Sequence, residues 1–385
     1  MARVSLRAWQ AEALSSWKDA DHRGIVSVVT GAGKTILALA CIDVLKPETS
    51  LVVVPTIALL DQWWSEAANF FDLDLDEINV LAGTQRRIRS GTINLAVLNT
   101  AAKLTASNRG ATSFLIVDEC HKAASEQFRA VLNVRTTASL GLSATPERPY
   151  DNWLREILEP ALGSIIYTYT YREALRDGVI VPFTLHNVVF DLENDQQKEY
   201  DKLTKAIARS IDTNGLEANE TISLLLRRTR VLNLSLNRVR LTLRLVAANK
   251  EKKILIFHED IRAVDLIYQV LSENHVKAGI YHSKIPLKER VKMLSAYRHG
   301  DIQVLVTCRA LDEGFNVPET QIGIIAASTA TRRQRIQRLG RILRPSSGKE
   351  GAVIYTLVAT EPEIARLRQE EQDLEGVAQT TWSRM

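Results

Sequence analysis

Cysteine is scarce in this sequence, and its distribution excludes two common ways of stabilising a fold. The 385 residues include only three cysteines, Cys41, Cys120 and Cys308, which lie far apart and form no CxxC pair. No histidine cluster accompanies them. Three scattered cysteines are typical neither of a disulfide framework nor of a zinc site, so neither is expected. We therefore expect a reducing, cytoplasmic location.

Long apolar runs and a strong charge of one sign are also missing. No apolar stretch approaches the roughly 20 residues that span a bilayer, and no apolar signal region follows the first arginine, so no membrane contact is expected. The net charge is only +4, so any nucleic-acid surface has to be a local stripe; the mild excess by itself indicates no more than solubility. The apolar content of 45% is typical of a globular protein, and the length suits two domains with a modest insertion.

Short β-branched segments alternate with longer helical patterns in both halves of the chain. The predicted strands are 25–29, 51–54, 78–81, 95–98, 114–117 and 139–142 in the first half, and 254–258, 277–281, 303–307, 322–326 and 353–358 in the second. This alternation predicts parallel sheets covered by helices. The sequence therefore predicts an α/β fold.

The alternation stops near Pro182, and this break defines the predicted domains. From Gln196 to Lys250 only helical periodicity is present, with an interruption around residues 212–215. We therefore predict a first lobe over residues 1–182, and a second over 183–385 that includes a helical insertion at about 196–250. The segment Glu361–Gly376 predicts a charged surface helix, after which the last residues are expected to fray.

A glycine-containing turn connects the first predicted strand to a helix. The turn consists of Thr30, Gly31, Ala32, Gly33, Lys34 and Thr35. Such a turn directs backbone N–H groups at phosphate, and its two glycines allow close approach. Lys34 would reach the β- and γ-phosphates, and the Thr35 hydroxyl would bind Mg²⁺. Val28 stands where the full phosphate-loop pattern has its first glycine, and by itself such a turn also fits a plain strand-to-helix connection.

Two adjacent acids, Asp118 and Glu119, follow the buried strand at 114–117. Burying their charge is costly unless a ligand uses it. In an ATP site Asp118 would hold the metal, and Glu119 would orient and deprotonate the attacking water. Acids that favour a helix N-terminus are the alternative interpretation. Because the two half-sites occur in the right order at two strand ends, together they predict a P-loop ATPase that uses Mg²⁺ and ATP.

The second half contains an arginine-dense segment, Arg332–Arg344, around a single glycine. An arginine placed against the transferring phosphoryl group accelerates hydrolysis by about 10³–10⁵. If these arginines lie on a second domain, hydrolysis requires the domains to close, and closure moves the bound polymer. A basic solvated helix is the alternative.

The ordered motifs resemble those of superfamily-2 helicases over nearly the whole chain. The resemblance implies two RecA-like lobes of the P-loop NTPase type. Leu6–Gln10 resembles the adenine-reading motif, in which Arg7 and Gln10 would bind the nucleotide. Residues 30–35 resemble motif I, Asp118–His121 motif II of the DECH form, and Ser143–Thr145 motif III. The residues that this implies for coupling between ATP and nucleic acid are His121, Ser143 and Thr145.

Motif VI is matched by residues 337–344. The resemblance implies that Arg341 and Arg344 are the arginine fingers and that Gln337 links His121 and motif III. Asn316 stands where many relatives have Asp; it could hydrogen-bond a ribose hydroxyl but cannot pair ionically with an arginine of motif VI.

Nucleic-acid contacts are implied at strand-end loops that resemble motifs Ia, Ib, IVa and V. The implied residues are Thr56, Thr100, Ser283 and Thr307. Hydroxyls and backbone amides at such loops bind phosphate and not bases, so binding should be largely independent of sequence. A helix N-cap is the alternative role for each isolated threonine.

The entry motif, the run Ser143–Arg148 and the phrase Leu311–Pro318 resemble the XPB/UvsW-like and restriction-motor branch, which mostly acts on duplex or branched DNA. Six arginines without an acid lie between Ser223 and Leu245: Arg227, Arg228, Arg230, Arg238, Arg240 and Arg244. They are typical either of a thumb-like helix along a phosphate backbone or of a packing helix whose arginines extend outward.

These patterns predict an ATP-dependent DNA helicase or translocase, with 3′→5′ movement implied by the family. An RNA helicase with the same ATP chemistry is one alternative. Another is a nucleotide-gated motor or clamp subunit of a larger repair, restriction or phage-defence complex, which unwinds nothing alone. Other protein subunits are therefore among the partners considered.

We predict that Arg341→Ala leaves ATP binding largely intact but lowers turnover by about 10³-fold or more, because the finger acts only on the transition state. Steady-state ATPase rates together with nucleotide titration test this expectation. Turnover close to that of the wild type would mean that the finger is another residue.

Overall fold

The described part of the chain forms two compact α/β units. The computed structural model describes residues 5–81, 87–106, 112–146, 152–308, 317, 320–327, 342–346 and 348–385. The first unit ends at Asp177 and the second begins at Gly178, a few residues before the predicted boundary at 182. Each unit contains one seven-stranded sheet, and every pairing among the described strands is parallel. None of the described helices is long and apolar enough to cross a membrane.

The first sheet has the strand order β3-β4-β2-β5-β6-β1-β7. Its strands are β1 (Arg23–Val28), β2 (Ser50–Val54), β3 (Asn79–Leu81), β4 (Ile93–Val97), β5 (Phe114–Asp118), β6 (Ala138–Ser143) and β7 (Ile165–Tyr169). Every residue of β2, β5 and β6 is buried, as expected for parallel strands covered on both faces. This explains their nearly continuous apolar sequences.

Helices connect these strands. They are α1 (Ala8–Asp19), α2 (Lys34–Leu45), α3 (Ile57–Phe71), α4 (Leu98–Ala106), α5 (Glu159–Leu162) and α6 (Tyr171–Arg176), with 3₁₀ turns at Leu75–Glu77, Cys120–Lys122 and Arg129–Asn133 and a π-helical turn at Leu154–Leu158. The α3 helix begins where the Thr56 hydroxyl accepts a hydrogen bond from the Leu59 N–H at 3.3 Å. The N-cap role considered for Thr56 is therefore observed.

The second sheet has the order β10-β11-β9-β12-β13-β8-β14. Its strands are β8 (Phe183–Val189), β9 (Ile254–His258), β10 (Ala278–Tyr281), β11 (Val304–Cys308), β12 (Ile322–Ile325), β13 (Ala352–Val358) and β14 (Gln379–Arg384); its helices are α7 (Asn194–Asn214), α8 (Asn219–Asn233), α9 (Leu236–Ala248), α10 (Ile261–Glu273), α11 (Leu287–His299) and α12 (Glu361–Asp373). The predicted α/β class with two parallel-sheet lobes is confirmed.

Three strands are absent from the sequence prediction. They are β7, β8 and β14, and the last of these contradicts the expectation that the final residues fray. The β7 and β14 strands lie at sheet edges, where side chains stay half-exposed. The polar sequence of β14 gives little apolar signal, whereas β7 is rich in strand-forming residues and was missed in spite of them. The β8 strand follows Pro182 directly, so the regular alternation ends later than predicted.

The helical segment after β8 has two parts. The α7 and α8 helices pack together as a hairpin, and Gly215, with φ of 83°, ends α7. The α9 helix belongs to the core of the second lobe, where Val239, Leu241 and Leu245 pack with the sheet residues. The predicted range of 196–250 therefore combines a helical hairpin with a core helix.

One of the six arginines proposed for phosphate binding has a structural role instead. Arg238 is fully buried; its guanidinium donates to the carbonyl oxygens of Ala326 (2.6 Å) and Leu357 (3.0 Å) and pairs with Glu363 at 3.2 Å. It also lies over the ring of Phe190. These contacts join α9, β13 and α12, so Arg238 is unavailable to phosphate, and of the two alternatives left open by the sequence the packing role applies to this residue. A charged residue on an amphipathic helix does not reveal in sequence that it faces inward.

We predict that Arg238→Met lowers the free energy of unfolding by about 3–5 kcal/mol, because Glu363 loses its buried cationic partner. Arg240→Met on the same helix is the matched control: Arg240 is exposed and bonds only Asn237 within the described structure, so its effect should stay within about 0.5 kcal/mol. Urea denaturation of both variants measures the difference. Equal, small losses would show that the buried network contributes no stability.

Candidate nucleotide-binding site

The candidate site lies where strands of the first sheet end at their carboxyl side. In this sheet β1 is next to β6, and β6 is next to β5. The turn 29–33 follows β1, Asp118 ends β5, and Ser143 ends β6. Because parallel strands end at one edge, these three elements meet there, as ligand sites in parallel sheets do.

The turn between β1 and α2 is shaped for phosphate. Gly31 and Gly33 have φ of 92° and 100°, a region that disfavours residues with a Cβ. A Cβ on Gly33 would also lie 3.0 Å from Gln10 Nε2. The first N–H groups of α2 have no partner inside the helix and lie at its positive end. Both glycines therefore serve a backbone conformation that presents N–H groups to an anion.

Lys34 and Glu119 form a buried ion pair beneath this turn. Their Nζ and Oε1 atoms are 3.1 Å apart, and both side chains are nearly inaccessible. Burial raises the pKa of Glu119, but the charges of Lys34 and His121 outweigh it and bring the value to about 2. Burial lowers the pKa of Lys34, but the negative charges of Glu119 and Asp118 raise it by more, so the net shift is upward. Both groups are therefore charged at neutral pH.

Among the described residues, no cation forms an ion pair with Asp118, since Lys34 pairs with Glu119. Its Oδ2 atom accepts a hydrogen bond from Trp63 Nε1 and its Oδ1 atom one from the Glu119 N–H, both at 2.9 Å. Burial and the nearby charge of Glu119 raise the pKa of Asp118, and together they outweigh the opposite effect of Lys34. Each carboxylate oxygen still has a free lone pair. A hard divalent cation would supply the missing charge, and Thr35, in the first turn of α2, offers a hydroxyl as a second oxygen ligand.

Two buried polar atoms at the site have no hydrogen-bond partner among the described residues. They are the Thr30 hydroxyl and Glu119 Oε2, the second of which has an ion-pair contact with His121 at 3.5 Å. Glu119 also adopts the left-handed conformation, with φ of 50°, which is uncommon for a residue with a long side chain. Unpaired polar atoms and strained backbone cluster at functional sites. Together with the glycine turn and the unpaired charge of Asp118, they fit a nucleotide with its magnesium ion.

The residues expected to couple the site to nucleic acid lie in direct contact. His121 Nδ1 is 3.0 Å from Ser143 Oγ and 3.5 Å from Glu119 Oε2. Ser143 Oγ also accepts the Thr145 N–H at 3.1 Å. The end of β6 is thereby connected through one histidine to the acid that would activate water.

The predicted base reader binds the phosphate turn instead. Gln10 Nε2 donates to the Gly33 carbonyl at 2.9 Å, and its Oε1 accepts the Arg7 N–H at 2.8 Å. Arg7 Nη1 donates to the carbonyl of Ala32 at 3.0 Å. In this structure Arg7 and Gln10 therefore fix the shape of the turn, and their contact with a base stays a prediction.

The four predicted nucleic-acid residues have different surroundings. Thr56 and Thr100 follow the ends of β2 and β4, which pair in register, so both lie at the edge that carries the nucleotide site. Ser283 is exposed just after β10. Thr307 is fully buried in β11, and its hydroxyl donates to the Ile256 carbonyl at 2.9 Å. This hydroxyl is therefore unavailable to a phosphate in this structure, contrary to the expectation.

Part of the predicted arginine site lies outside the described residues. The residues outside the described part include Asn316, Gln337 and Arg341. Of the two arginine-finger candidates, Arg344 is described. Arg344 is half-buried, and Lys349 Nζ donates to its carbonyl at 3.0 Å and to that of Ile342. The Leu343 carbonyl accepts the Val181 N–H at 2.9 Å. The end of motif VI is thus held to the second lobe by its backbone.

Sequence reasoning missed Trp63. Trp63 follows the loop of Thr56 that resembles motif Ia, and the sequence analysis gives its indole no role, although a buried tryptophan N–H needs an acceptor. That requirement was the available signal. It could not identify the acceptor, since Asp118 is 55 residues away in the sequence.

The phosphate turn, the buried lysine and the acids at the end of β5 define a P-loop nucleoside triphosphatase. Residues 3–148 match the family model described as "Type III restriction enzyme, res subunit", and residues 237–346 match "Helicase conserved C-terminal domain". The two matched regions are thus similar to a restriction-enzyme subunit and to a helicase domain, and the chain has XPB DNA helicases and translocases among its homologues.

Two relatives show how far the similarity extends. The chain is 29% identical to the DNA 3'-5' translocase XPB2 of Sulfurisphaera tokodaii, over 91% of this chain and 81% of that protein. It is 26% identical to the DNA 3'-5' helicase XPB of Kineococcus radiotolerans, over 92% of this chain and 60% of that protein. The chain thus spans most of the first relative and about three-fifths of the second.

A solved structure shares the fold. The type ISP restriction-modification enzyme LlaBIII bound to DNA superposes with a TM-score of 0.65 at 15% identity, over 98% of this chain and 31% of that one. This likeness, together with the two seven-stranded parallel sheets, confirms the two RecA-like lobes.

We predict that Glu119→Gln retains nucleotide binding and lowers turnover by about 10²–10⁴-fold, because an amide cannot take a proton from water. Lys34→Ala, in contrast, should abolish nucleotide binding. Glu126→Gln is the control, since Glu126 is an almost fully exposed acid near the same strand end. Titration with a fluorescent ATP analogue and steady-state ATPase rates check both parts. Normal turnover in Glu119→Gln would show that another group is the base.

Proposed function

We propose that this protein is an ATP-dependent DNA translocase or helicase that moves along, unwinds or remodels duplex or branched DNA. The observation that supports this most is the single sheet edge shared by the nucleotide site and the hydroxyls of Thr56 and Thr100. The names of the relatives, a DNA 3'-5' translocase and a DNA 3'-5' helicase, favour DNA and 3′→5′ movement. Since hydroxyls bind phosphate and not bases, recognition is largely sequence-independent.

The residues divide the ATPase chemistry among them. ATP with Mg²⁺ supplies the electrophilic phosphorus and the charge that Asp118 and Thr35 bind. Lys34 exchanges Glu119 for the phosphates, which leaves Glu119 to orient a water and accept its proton. Arg341 and Arg344 would act on the transition state, Gln337 would link His121 and motif III, and Asn316 would bind the ribose.

His121 and Ser143 couple ATP hydrolysis to nucleic-acid binding. Their hydrogen bond connects Glu119 to the loop that follows β6, which includes Thr145. A shift of that loop changes the position of the histidine and with it the surroundings of the acid. Nucleic acid would therefore regulate hydrolysis through this contact.

The exposed arginines of α8 and α9 add a second phosphate-binding surface. Arg227 and Arg230 are exposed on α8, and Arg240 and Arg244 on α9, whereas Arg238 is internal. Neutralising phosphates with such residues gives salt-dependent affinity. We place the protein in the cytoplasm, where its three buried cysteines, which form no disulfide, stay reduced.

Two other functions remain as alternatives. An RNA helicase would use the same ATP chemistry. A motor or clamp subunit of a larger repair, restriction or phage-defence complex would hydrolyse ATP without separating strands by itself. In the XPB helicase of Kineococcus radiotolerans the region similar to this chain is three-fifths of a longer protein.

We predict that duplex or forked DNA raises the ATPase rate at least about 10-fold over RNA of equal length, as expected when bound polymer completes the site. ATPase rates measured across single-stranded, duplex, forked and RNA ligands test the choice of substrate. A stronger response to RNA would contradict DNA as the substrate. Strand displacement on a 3′-tailed fork is the second measurement, and ATP turnover without displacement favours the clamp.

A further inference from the structure

Trp63 contributes its one polar atom to the carboxylate expected to bind magnesium. Its side chain is fully buried in the first lobe, and its indole N–H donates to Asp118 Oδ2 at 2.9 Å. Charge-assisted hydrogen bonds of this kind are stronger than neutral ones and fix geometry. The only other hydrogen bond described for this carboxylate comes from the Glu119 backbone to Oδ1. One of the two donors that orient Asp118 is therefore supplied by a different helix, α3.

The α3 helix also begins at the predicted nucleic-acid loop. Thr56 caps its first turn, and Ile57, the first helical residue, is 71% exposed. Trp63 lies two turns further along the same 15-residue helix. Because an α-helix moves as a nearly rigid element over two turns, displacing its first turn displaces Trp63 as well.

We propose that Trp63 is a positioning residue that couples polynucleotide binding at the start of α3 to the metal-binding geometry of Asp118. The proposal rests on the proposed function, because it requires polynucleotide to bind at Thr56. Contact with phosphate sets the position of α3, and the indole N–H then holds Asp118 Oδ2 in the orientation that leaves a lone pair for Mg²⁺. Without polynucleotide the carboxylate is less well ordered for the metal.

This route is independent of the contact between His121 and Ser143. It reaches the other acid of the pair, since His121 contacts Glu119 and Trp63 contacts Asp118. It also starts from β2, on the side of β5 opposite β6. The two acids at the end of β5 are therefore contacted from the sides of both neighbouring strands, β2 and β6.

The adjacent tryptophan provides a matched control. Trp64 is half-exposed, and its indole N–H donates to the Leu75 carbonyl at 2.8 Å. Trp63→Phe and Trp64→Phe each remove one indole N–H and keep an aromatic ring on the same helix. Only the first removes a donor from Asp118.

The experiment measures two quantities in the full chain. The first is the Mg²⁺ concentration at half-maximal binding of a fluorescent non-hydrolysable ATP analogue, and the second is the ratio of ATPase rates with and without duplex DNA. In Trp63→Phe we expect the Mg²⁺ requirement to rise about 10-fold, the effect typical of losing an outer-shell partner, and the ratio to fall towards one. Trp64→Phe should match the wild type in both.

A Trp63→Phe variant that is folded, with an unchanged Mg²⁺ requirement and an unchanged DNA ratio, would overturn the proposal. If wild-type ATPase does not respond to any polynucleotide, the proposed function fails first, and the two failures are distinguishable by that wild-type measurement. A raised Mg²⁺ requirement with an unchanged ratio would also overturn the coupling.

A measurement on the wild type covers the case in which Trp63→Phe does not fold. The chain has six tryptophans, so ¹⁵N-tryptophan labelling gives six indole signals. Mn²⁺ with the nucleotide analogue should broaden one of them most strongly, because Trp63 is the indole bonded to the metal-binding carboxylate. Duplex DNA should shift that signal. A signal that stays in place at saturating DNA would contradict the proposal.

Discussion

The charge balance at the end of β5 is the constraint on which the site depends. Two acids and one lysine share a volume with almost no solvent, where an unpaired charge is costly. Lys34 neutralises Glu119, and burial leaves Asp118 with a raised pKa. The protein by itself therefore satisfies one carboxylate and not the other. A magnesium nucleotide would resolve this imbalance, since it would bring a cation for Asp118 and phosphates for Lys34.

The order of strands connects the acids at the end of β5 to loops on both sides. Placing β5 between β2 and β6 lets the acids contact residues from both neighbours, Trp63 on one side and, through His121, Ser143 on the other. Both neighbouring strands lead into loops predicted to respond to nucleic acid. A displacement in either loop reaches a carboxylate through a single hydrogen-bonded side chain. Such short connections allow ATP hydrolysis to depend on the polymer without a long chain of contacts.

The second lobe uses its buried charge differently. Arg238 is the centre of a structural network, with carbonyl acceptors, Glu363 and the ring of Phe190 around it. Nearby, burial and the positive charge of Arg238 lower the pKa of His258 to about 3, so this histidine stays neutral. These groups fix the helices against the sheet, whereas the acids of the first lobe are left to respond to a ligand.

The parts that could be predicted from sequence are those with a local signal. Continuous apolar strands ending in a glycine turn or in Asp118 identified both halves of the nucleotide site. The edge strand β14 was missed because its side chains are half-exposed. For Arg238 the sequence left both packing and phosphate binding open, because helical periodicity does not show which arginine faces inward. Gln10 and Thr307 were assigned by resemblance, but their hydrogen-bond partners depend on tertiary contacts. The partner of Trp63 required knowledge of the strand order.

A crystal structure of the full chain with Mg²⁺ and a non-hydrolysable ATP analogue tests the central claim most directly. The account predicts the metal on Asp118 and Thr35, and the Lys34 ammonium on the phosphates at a distance from Glu119. A bound nucleotide that leaves the pair between Lys34 and Glu119 intact, or a metal that avoids Asp118, would contradict it.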